Sequence, residues 1–563
     1  MAEKREEDIR IGVFVCSCGT NIGGLLDVKA LADYAKTLSY VAYTEDNLYT
    51  CSEVGLKSIR DAIEEYKLNR VIVASCTPRT HESLFRECIS EAGLNEYLFQ
   101  FVNIRDQCSW VHTKYAEEAF EKAKDLIRMG VAKVFKLEPL NNIKVEITPK
   151  ALVLGGGITG MSAALSLSNQ GYKTYLVEKE QKLGGRLNRL FKLFPYDYEA
   201  SELLKTTITQ IHNSKNIDVY TSSQIKSVNG FVGNYEVEIE QKDKLYNKLV
   251  GAIVIAVGSS VFTPSDMYGY DGHTRITQYE LESKLKNENV NVNDVVMIQC
   301  VGARIDKRPY CSAVCCMTAI KNSLIIKEQN PNVNITILYR DIYTPGTKYE
   351  KYYKEAREKG ILFIKYTIKR EPKIEENRIR VFNENMGENI IIPYDLLVLS
   401  TPLIANEDNQ NLGQMLKVPL EANNFFLEAH VKLRPNDFAT DGIFLGGSAK
   451  WPVDISTAIS QGYGAASRAS TILSHKNIEV EGATSYLPEY NRDLCTGCEV
   501  CIEVCPYHAI EKNEDDEIVI IEALCKGCGL CGASCTKKAI EIKHFTNEQI
   551  LSEIYALGGR EII

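Results

Sequence analysis

Short apolar runs alternate with stretches in which apolar positions recur every three or four residues, and this alternation persists along most of the chain. Residues 9–15, 70–74 and 97–102 are nearly continuous apolar runs, the pattern of parallel strands covered on both faces. Between them, 27–38, 53–66 and 80–92 carry helical spacing, which predicts an open α/β domain over about 1–145. The pattern restarts with a strand at 151–154, a glycine-rich turn, an Ala/Leu/Ser-rich helix and a second strand at 173–178. Later strands are predicted at 252–257, from Asp294 onward and at 333–339, with helices at 317–327 and 455–466. Residues 216–250 read as strands and a hairpin. The stretch 348–359 reads as an exposed helix laced by i,i+4 charge pairs. The final segment, 546–557, is amphipathic behind a threonine suited to the N-cap, and could dock on its own protein or on a partner.

A chain of 563 residues should hold three or four domains. An apolar fraction of 45% and a charged fraction of 25% are those of an ordinary globular protein. The net charge of −9 argues against nucleic acid or an anionic membrane as the main partner. No apolar run is long enough for a transmembrane helix, and the charged N-terminus lacks a signal-peptide core, so a cytoplasmic place is expected. Eighteen cysteines then stand out, because in a reducing compartment they are more often metal ligands or redox groups than disulfides.

The turn after the strand at 151–154 is G-x-G-x-x-G, with Gly155, Gly157 and Gly160. These glycines allow a tight turn, close approach of a pyrophosphate and close packing of helix on strand. Glu178, ending the next strand with Lys179 beside it, stands where such folds hold the ribose hydroxyls. Three further pieces narrow the nucleotide to FAD. Leu183-Gly184-Gly185-Arg186 resembles the second glycine signature of two-dinucleotide flavoproteins, and the segment containing Ala256 and Gly258 resembles their strand-and-glycine return. The segment 440–447, ending at Gly447, resembles their closing flavin motif, although Ser448 stands where an aspartate is common. A thioredoxin-reductase-like two-unit flavoprotein domain is therefore expected over 146–480, with 146–287 and 431–480 forming the flavin unit and 288–430 the second unit.

The second unit departs from its type. Its loop lacks G-x-G-x-x-G and carries Cys300, Cys311, Cys315 and Cys316 instead. Four thiolates in one turn region can hold a [4Fe-4S] cubane; zinc or a buried cysteine group are the alternatives. The loop therefore points away from NAD(P)H. On the following helix, Lys321 reads either as a solvated surface lysine or as an ammonium that tunes a flavin.

Cys495-x2-Cys498-x2-Cys501-x3-Cys505-Pro506 is a bacterial ferredoxin run, and Cys525-x2-Cys528-x2-Cys531-x3-Cys535 repeats it with Thr536 in place of proline. By cross-ligation, Cys535 joins the first three cysteines of the first run and Cys505 joins those of the second. An α+β 2[4Fe-4S] ferredoxin domain is expected over 484–545, followed by a helical tail over 546–563. In the N-terminal domain, Cys16, Cys51, Cys76 and Cys108 follow strand ends, where open α/β sheets bind ligands, and could hold a fourth cluster. Cys18 competes for a place in that set, and Cys88 reads as core.

The chain resembles the A-type subunits of heterodisulfide reductase. The resemblance rests on Val13-Phe-Val-Cys16-Ser-Cys18-Gly, the segments around Cys51, Cys76 and Cys108, Gln299-Cys300-Val-Gly, the 311–316 group and the ferredoxin pair. It implies an oxidoreductase with FAD and [4Fe-4S] clusters that splits electron pairs between unequal acceptors, ferredoxin among them. It also implies partners: B- and C-like subunits and a hydrogenase or dehydrogenase module, with homodimerisation open. It implies that a lysine shortly after the double cysteine, here Lys321, lies near the isoalloxazine as a catalytic group. Many members carry an extra ferredoxin domain inserted in the flavin domain, which 216–250 here lacks. An electron conduit without bifurcation, a stand-alone NAD(P)H flavoprotein reductase and a structural hub remain as alternatives.

Overall fold

A computed structural model describes residues 9–141, 144–195, 198–288, 290–479, 488–513, 515–522 and 524–559. It divides the chain into two compact units, Met1–Lys144 with Glu479–Ile563, and Val145–Ile478. The first unit joins the stretches expected as N-terminal domain, ferredoxin domain and tail, and the second spans the stretch expected as the flavoprotein domain.

In the first unit, β1 (Ile11–Cys16), α1 (Val28–Ala35), β2 (Val41–Asn47), α2 (Glu53–Glu65), β3 (Arg70–Ser75), α3 (Pro78–Glu91), β4 (Phe99–Asn103) and α4 (Ala116–Phe135) follow in chain order. The four strands form one parallel sheet in the order β2-β1-β3-β4. Strands β1 and β3 are buried throughout, as their unbroken apolar runs require. Parallel pairing brings the carboxyl ends of all four strands to one edge, and the cysteine loops leave from there.

The C-terminal segment of this unit pairs Pro488–Tyr490 with Ile540–Ile542 and Ile510–Lys512 with Ile518–Ile520, around a small core. Its last helix, Asn547–Leu557, starts with a capping box in which Thr546 and Gln549 satisfy each other's backbone. This helix packs on α4 of its own chain. Arg128 donates to the carbonyls of Ala556 and Leu557, Gln549 donates to the carbonyl of Lys136, and Lys136 pairs with Glu548 at 2.8 Å. His544, nearly buried against Tyr97, bonds through Nε2 to the carbonyl of Glu138 at 2.7 Å. The helix thus docks on its own protein, while its Ile550, Leu551, Ile554, Tyr555 and Leu557 stay exposed.

The second unit holds two parallel five-stranded sheets. The first contains Ile217–Tyr220, Lys173–Val177, Lys150–Leu154, Ala252–Ile255 and Ile443–Leu445, in that spatial order. The second contains Arg275–Thr277, Leu396–Leu399, Asp294–Ile298, Asn334–Tyr339 and Leu362–Lys365. The stretch expected as strands and a hairpin forms Ile217–Tyr220 and an antiparallel sheet of Ser223–Phe231, Asn234–Gln241 and Lys244–Val250. Among the described residues no helix is long and apolar enough to cross a membrane.

Candidate flavin and iron–sulfur sites

At the glycine loop, the strand Lys150–Leu154 feeds the helix Ile158–Asn169, whose N-cap is Gly157. A side chain on Gly160 would fall on the carbonyl oxygen of Gly155, so the helix and the turn approach closely only because position 160 is glycine. A side chain on Gly157 would meet nothing, which leaves open space at a helix N-terminus with unpaired N–H groups. That space fits a pyrophosphate. Glu178 is buried behind the loop, its carboxylate accepting from the backbone N–H of Gly156 at 2.6 Å and of Glu180 at 2.8 Å. Lys179 is exposed and pairs with Asp408 at 3.3 Å, turned toward a carboxylate.

The second glycine signature lies against the first, since Gly184 N–H donates to the carbonyl of Gly156 and Gly185 sits beside Gly157. Arg186 follows and bridges two elements, donating to the Tyr279 hydroxyl and to Ser448 Oγ, each at 3.2 Å. The serine that replaces the usual acid is thus an acceptor for Arg186. Gly447 N–H donates to Gln461 Oε1 at 2.8 Å, and the carbonyl of Ala256 crowds Gly155. Gly258, in the left-handed region at φ 70°, has open space where a side chain would stand.

Tyr279 leads onward to a cavity lined by Leu190, Tyr279, Glu282, Cys315, Thr318 and Thr401. Cys315 begins the helix Cys315–Gln329, which follows the cysteine loop. Cys300 stands in the left-handed region at φ 60°, where the loop leaves its strand. The four thiols of the loop lie near one another: burial and then the neighbouring Cys316, Cys300 and Cys311 push Cys315 far up. Burial, with Cys300 and Cys311 beside it, lifts Cys316 to about 12. Thiols that so disfavour one another's ionisation fit a cationic iron centre that takes them all as thiolates. Arg304 hydrogen-bonds Cys300 and pairs with Asp341 at 2.7 Å. Gln299, wholly buried beside Cys300, has no partner for either end of its amide among the described residues.

Lys321 is not a surface residue. It is 1% exposed, donates to the carbonyl of Lys192 at 3.0 Å and forms an ion pair with the equally buried Glu282. Sequence reasoning missed Glu282, because a lone glutamate on an amphipathic helix (Gln278–Asn287) reads as solvated.

In the C-terminal segment the two predicted ligand sets separate into two cavities. One is lined by Cys495, Cys498, Cys501 and Cys535, the other by Cys505, Cys525, Cys528 and Cys531. Each cavity receives the same backbone donors. Gly497 N–H reaches Cys495 Sγ and Gly527 N–H reaches Cys525 Sγ, both at 3.4 Å. Ala509 N–H reaches Cys505 at 3.3 Å and Ala539 N–H reaches Cys535 at 3.2 Å. Amide donors aimed at thiolates suit ligand sulfur.

The N-terminal group differs from the expected set. Neighbouring Cys16 and Cys76 act on both Cys18 and Cys51, which are raised first by burial and then by these thiols. Thr50 N–H donates to Cys16 Sγ at 3.4 Å. Cys108 lies elsewhere: it sits in the turn Arg105–Ser109 with its thiol fully buried, donating to the carbonyl of Ala119 at the start of α4. The structure thus sets Cys108 apart from the expected group and places Cys18, in the left-handed region at φ 44°, beside Cys16 and Cys76. Cys88 is core, as read, with its thiol on the carbonyl of Leu56. Among the described residues no three His, Cys, Asp or Glu side chains converge as for one metal ion.

Residues 149–462 match the family model of pyridine nucleotide-disulphide oxidoreductases, and 488–511 match that of 4Fe-4S binding domains. The A-type subunit of the H(2):CoB-CoM heterodisulfide,ferredoxin reductase of Methanothermobacter thermautotrophicus is 37% identical, over 99% of both chains. The chain belongs to the A-type subunits of heterodisulfide reductase. The second A-type iron-sulfur subunit of CoB--CoM heterodisulfide reductase from Methanopyrus kandleri is likewise 37% identical, over 91% of this chain and 92% of its own. Among solved structures, thioredoxin reductase of Lactococcus lactis covers 58% of this chain and 99% of its own, at 16% identity and a TM-score of 0.42. The member described here is an oxidoreductase. Its alignment with the Methanothermobacter thermautotrophicus relative spans 659 positions although this chain has 563 residues, so that relative carries sequence this member lacks.

Proposed function

We propose that this chain is the flavin- and iron–sulfur electron-splitting component of a heterodisulfide-reductase-like complex, exchanging electron pairs with one partner and single electrons with acceptors such as ferredoxin. FAD would be held by Gly155, Gly157, Gly160, Glu178, Gly185, Arg186, Ala256, Gly258 and Gly447, with Lys179 at the rim. Four [4Fe-4S] clusters would be held by Cys300/Cys311/Cys315/Cys316, by the two crossed ferredoxin sets, and by Cys16/Cys18/Cys51/Cys76. Bound FAD supplies the exchange between two-electron and one-electron chemistry.

The observation that carries this reading is continuity inside the second unit. The phosphate loop touches the Gly184–Gly185 turn, Arg186 reaches Tyr279, and Tyr279 shares a cavity with Cys315. A ring system placed along that line ends beside the cysteine loop. Arg186 fixes the path by holding Tyr279 and Ser448 together, while Leu190 and Leu403 contribute apolar wall that excludes water. Lys321 brings a buried ammonium, which favours electron-rich forms of a nearby ring.

The relatives' names refer to ferredoxin as well as to heterodisulfide. Without an inserted ferredoxin domain, one exit route in this member would be shorter or supplied by a partner. Anaerobic redox titration of the FAD-loaded chain tests the splitting role. Electron splitting requires the second one-electron potential to lie above the first; the opposite order would make the chain a plain conduit. NADH added to the isolated chain should leave the flavin oxidised, because the second loop has no pyrophosphate cradle.

A further inference from the structure

The Lys321–Glu282 pair lies between the helices Gln278–Asn287 and Cys315–Gln329, both side chains at the limit of burial. The seam around it is polar and locked: Asn322 donates to Gln278 Oε1 at 2.8 Å, and Gln278 donates to Ser400 Oγ at 3.2 Å. Glu282 uses its two oxygens unequally. Oε1 accepts from both Lys321 Nζ and the backbone N–H of Phe191, the latter at 2.9 Å. Oε2 is buried and has no hydrogen-bond partner among the described residues, and Glu282 lines the cavity that contains Cys315. A buried carboxylate oxygen without a donor is costly unless a ligand brings one.

We propose that Glu282 is a positioning residue of the redox site: Oε1 fixes the Lys321 ammonium, and Oε2 accepts a hydrogen bond from an N–H of the isoalloxazine seated in the cavity. This rests on the reading that FAD occupies the unit. The carboxylate then has two effects on the ring. It orients the lysine toward one place, and it balances the lysine's charge, so that the ring meets a neutral pair rather than a bare cation. Were the lysine left alone, the electron-rich reduced ring would be favoured too strongly for electrons to leave.

The test uses the full chain loaded with FAD at one fixed pH, with the two-electron flavin potential and the thermal midpoint measured on each variant. Glu282→Gln should raise the potential by at least a tenfold change in the equilibrium constant, about 30 mV for a two-electron couple. Lys321→Met should lower it, and the double variant should return near the wild-type value. The double variant removes both buried charges together, so it folds even where one charge alone would not, and its difference from Lys321→Met isolates Glu282. A fall in thermal midpoint with the potential unchanged in every variant would overturn the proposal while leaving the FAD reading intact. Failure of the wild-type chain to bind FAD would overturn both.

Discussion

The second unit contains the same supersecondary motif twice, and the two copies differ in what fills the loop. In one, the strand Lys150–Leu154 turns within three glycines into the helix Ile158–Asn169. In the other, the strand Asp294–Ile298 reaches the helix Cys315–Gln329 only after a long loop with four thiols. Both strands are central in parallel sheets, and both loops leave at the carboxyl end, where such sheets place ligands. The scaffold is therefore the same in form while the loop decides the chemistry. Glycine, lacking a side chain, leaves room for a phosphate at the backbone; cysteine supplies soft anionic sulfur, the donor that iron favours.

The largest expected effect is at the glycine loop. Gly160→Val drives a side chain into the Gly155 carbonyl, should cost about 1–3 kcal/mol as overpacking, and should abolish FAD retention. Flavin absorbance of the purified chain and its thermal midpoint check this; retained flavin would break the comparison. Next comes the third thiol group. Cys18→Ser should remove about four of sixteen irons, whereas Cys108→Ser should remove none, because Cys108 faces the Ala119 carbonyl. Iron assay of the two variants decides between them.

A smaller effect is expected at the link between glycine loop and cavity. Arg186→Ala removes hydrogen bonds to Tyr279 and Ser448, and should weaken FAD binding about tenfold if one charged hydrogen bond worth about 1.5 kcal/mol is lost. Titration of the apoflavin form with FAD measures it.

The smallest concerns the junction that joins the two chain ends. Burial, helped by the cationic Arg86, Lys133 and Arg70, lowers His544 from 6.5 to about 4. The folded form therefore binds fewer protons than the unfolded one between these values. The histidine's contribution is complete above about pH 6.5 and is lost as pH falls toward 4. Hydrogen exchange in Asn547–Leu557, corrected for intrinsic rates, should quicken at pH 5 relative to pH 7. His544→Gln should flatten that dependence.

Much of this was legible in the residues because the chemistry is local. The ferredoxin cysteines repeat at fixed spacing, so even their crossed assignment follows from the string, and the two cavities match it. The glycine loop reads equally well, since strand, turn and helix are contiguous. The N-terminal thiols did not read through, because separate loops of the sheet bring them together. Spacing cannot tell Cys18 from Cys108 when one turn, Arg105–Ser109, rotates the latter inward. Glu282 was opaque, and Lys321 stood between a surface lysine and a flavin-tuning one, for a related reason: each is an ordinary charged residue on a helix, and only the packing of two helices buries them as a pair. The docking of the last helix on α4 is likewise a contact between the ends of the chain, which no local pattern reports.

The central claim is that sulfur-held iron occupies the second loop beside the flavin. Iron, sulfide and flavin counts on anaerobically prepared chain, wild type against Cys300→Ser/Cys311→Ser, test it directly. The account predicts about sixteen irons falling to about twelve, with FAD retained in both. An unchanged iron count in the double variant, or NADH bound tightly at that loop in the wild type, would contradict it.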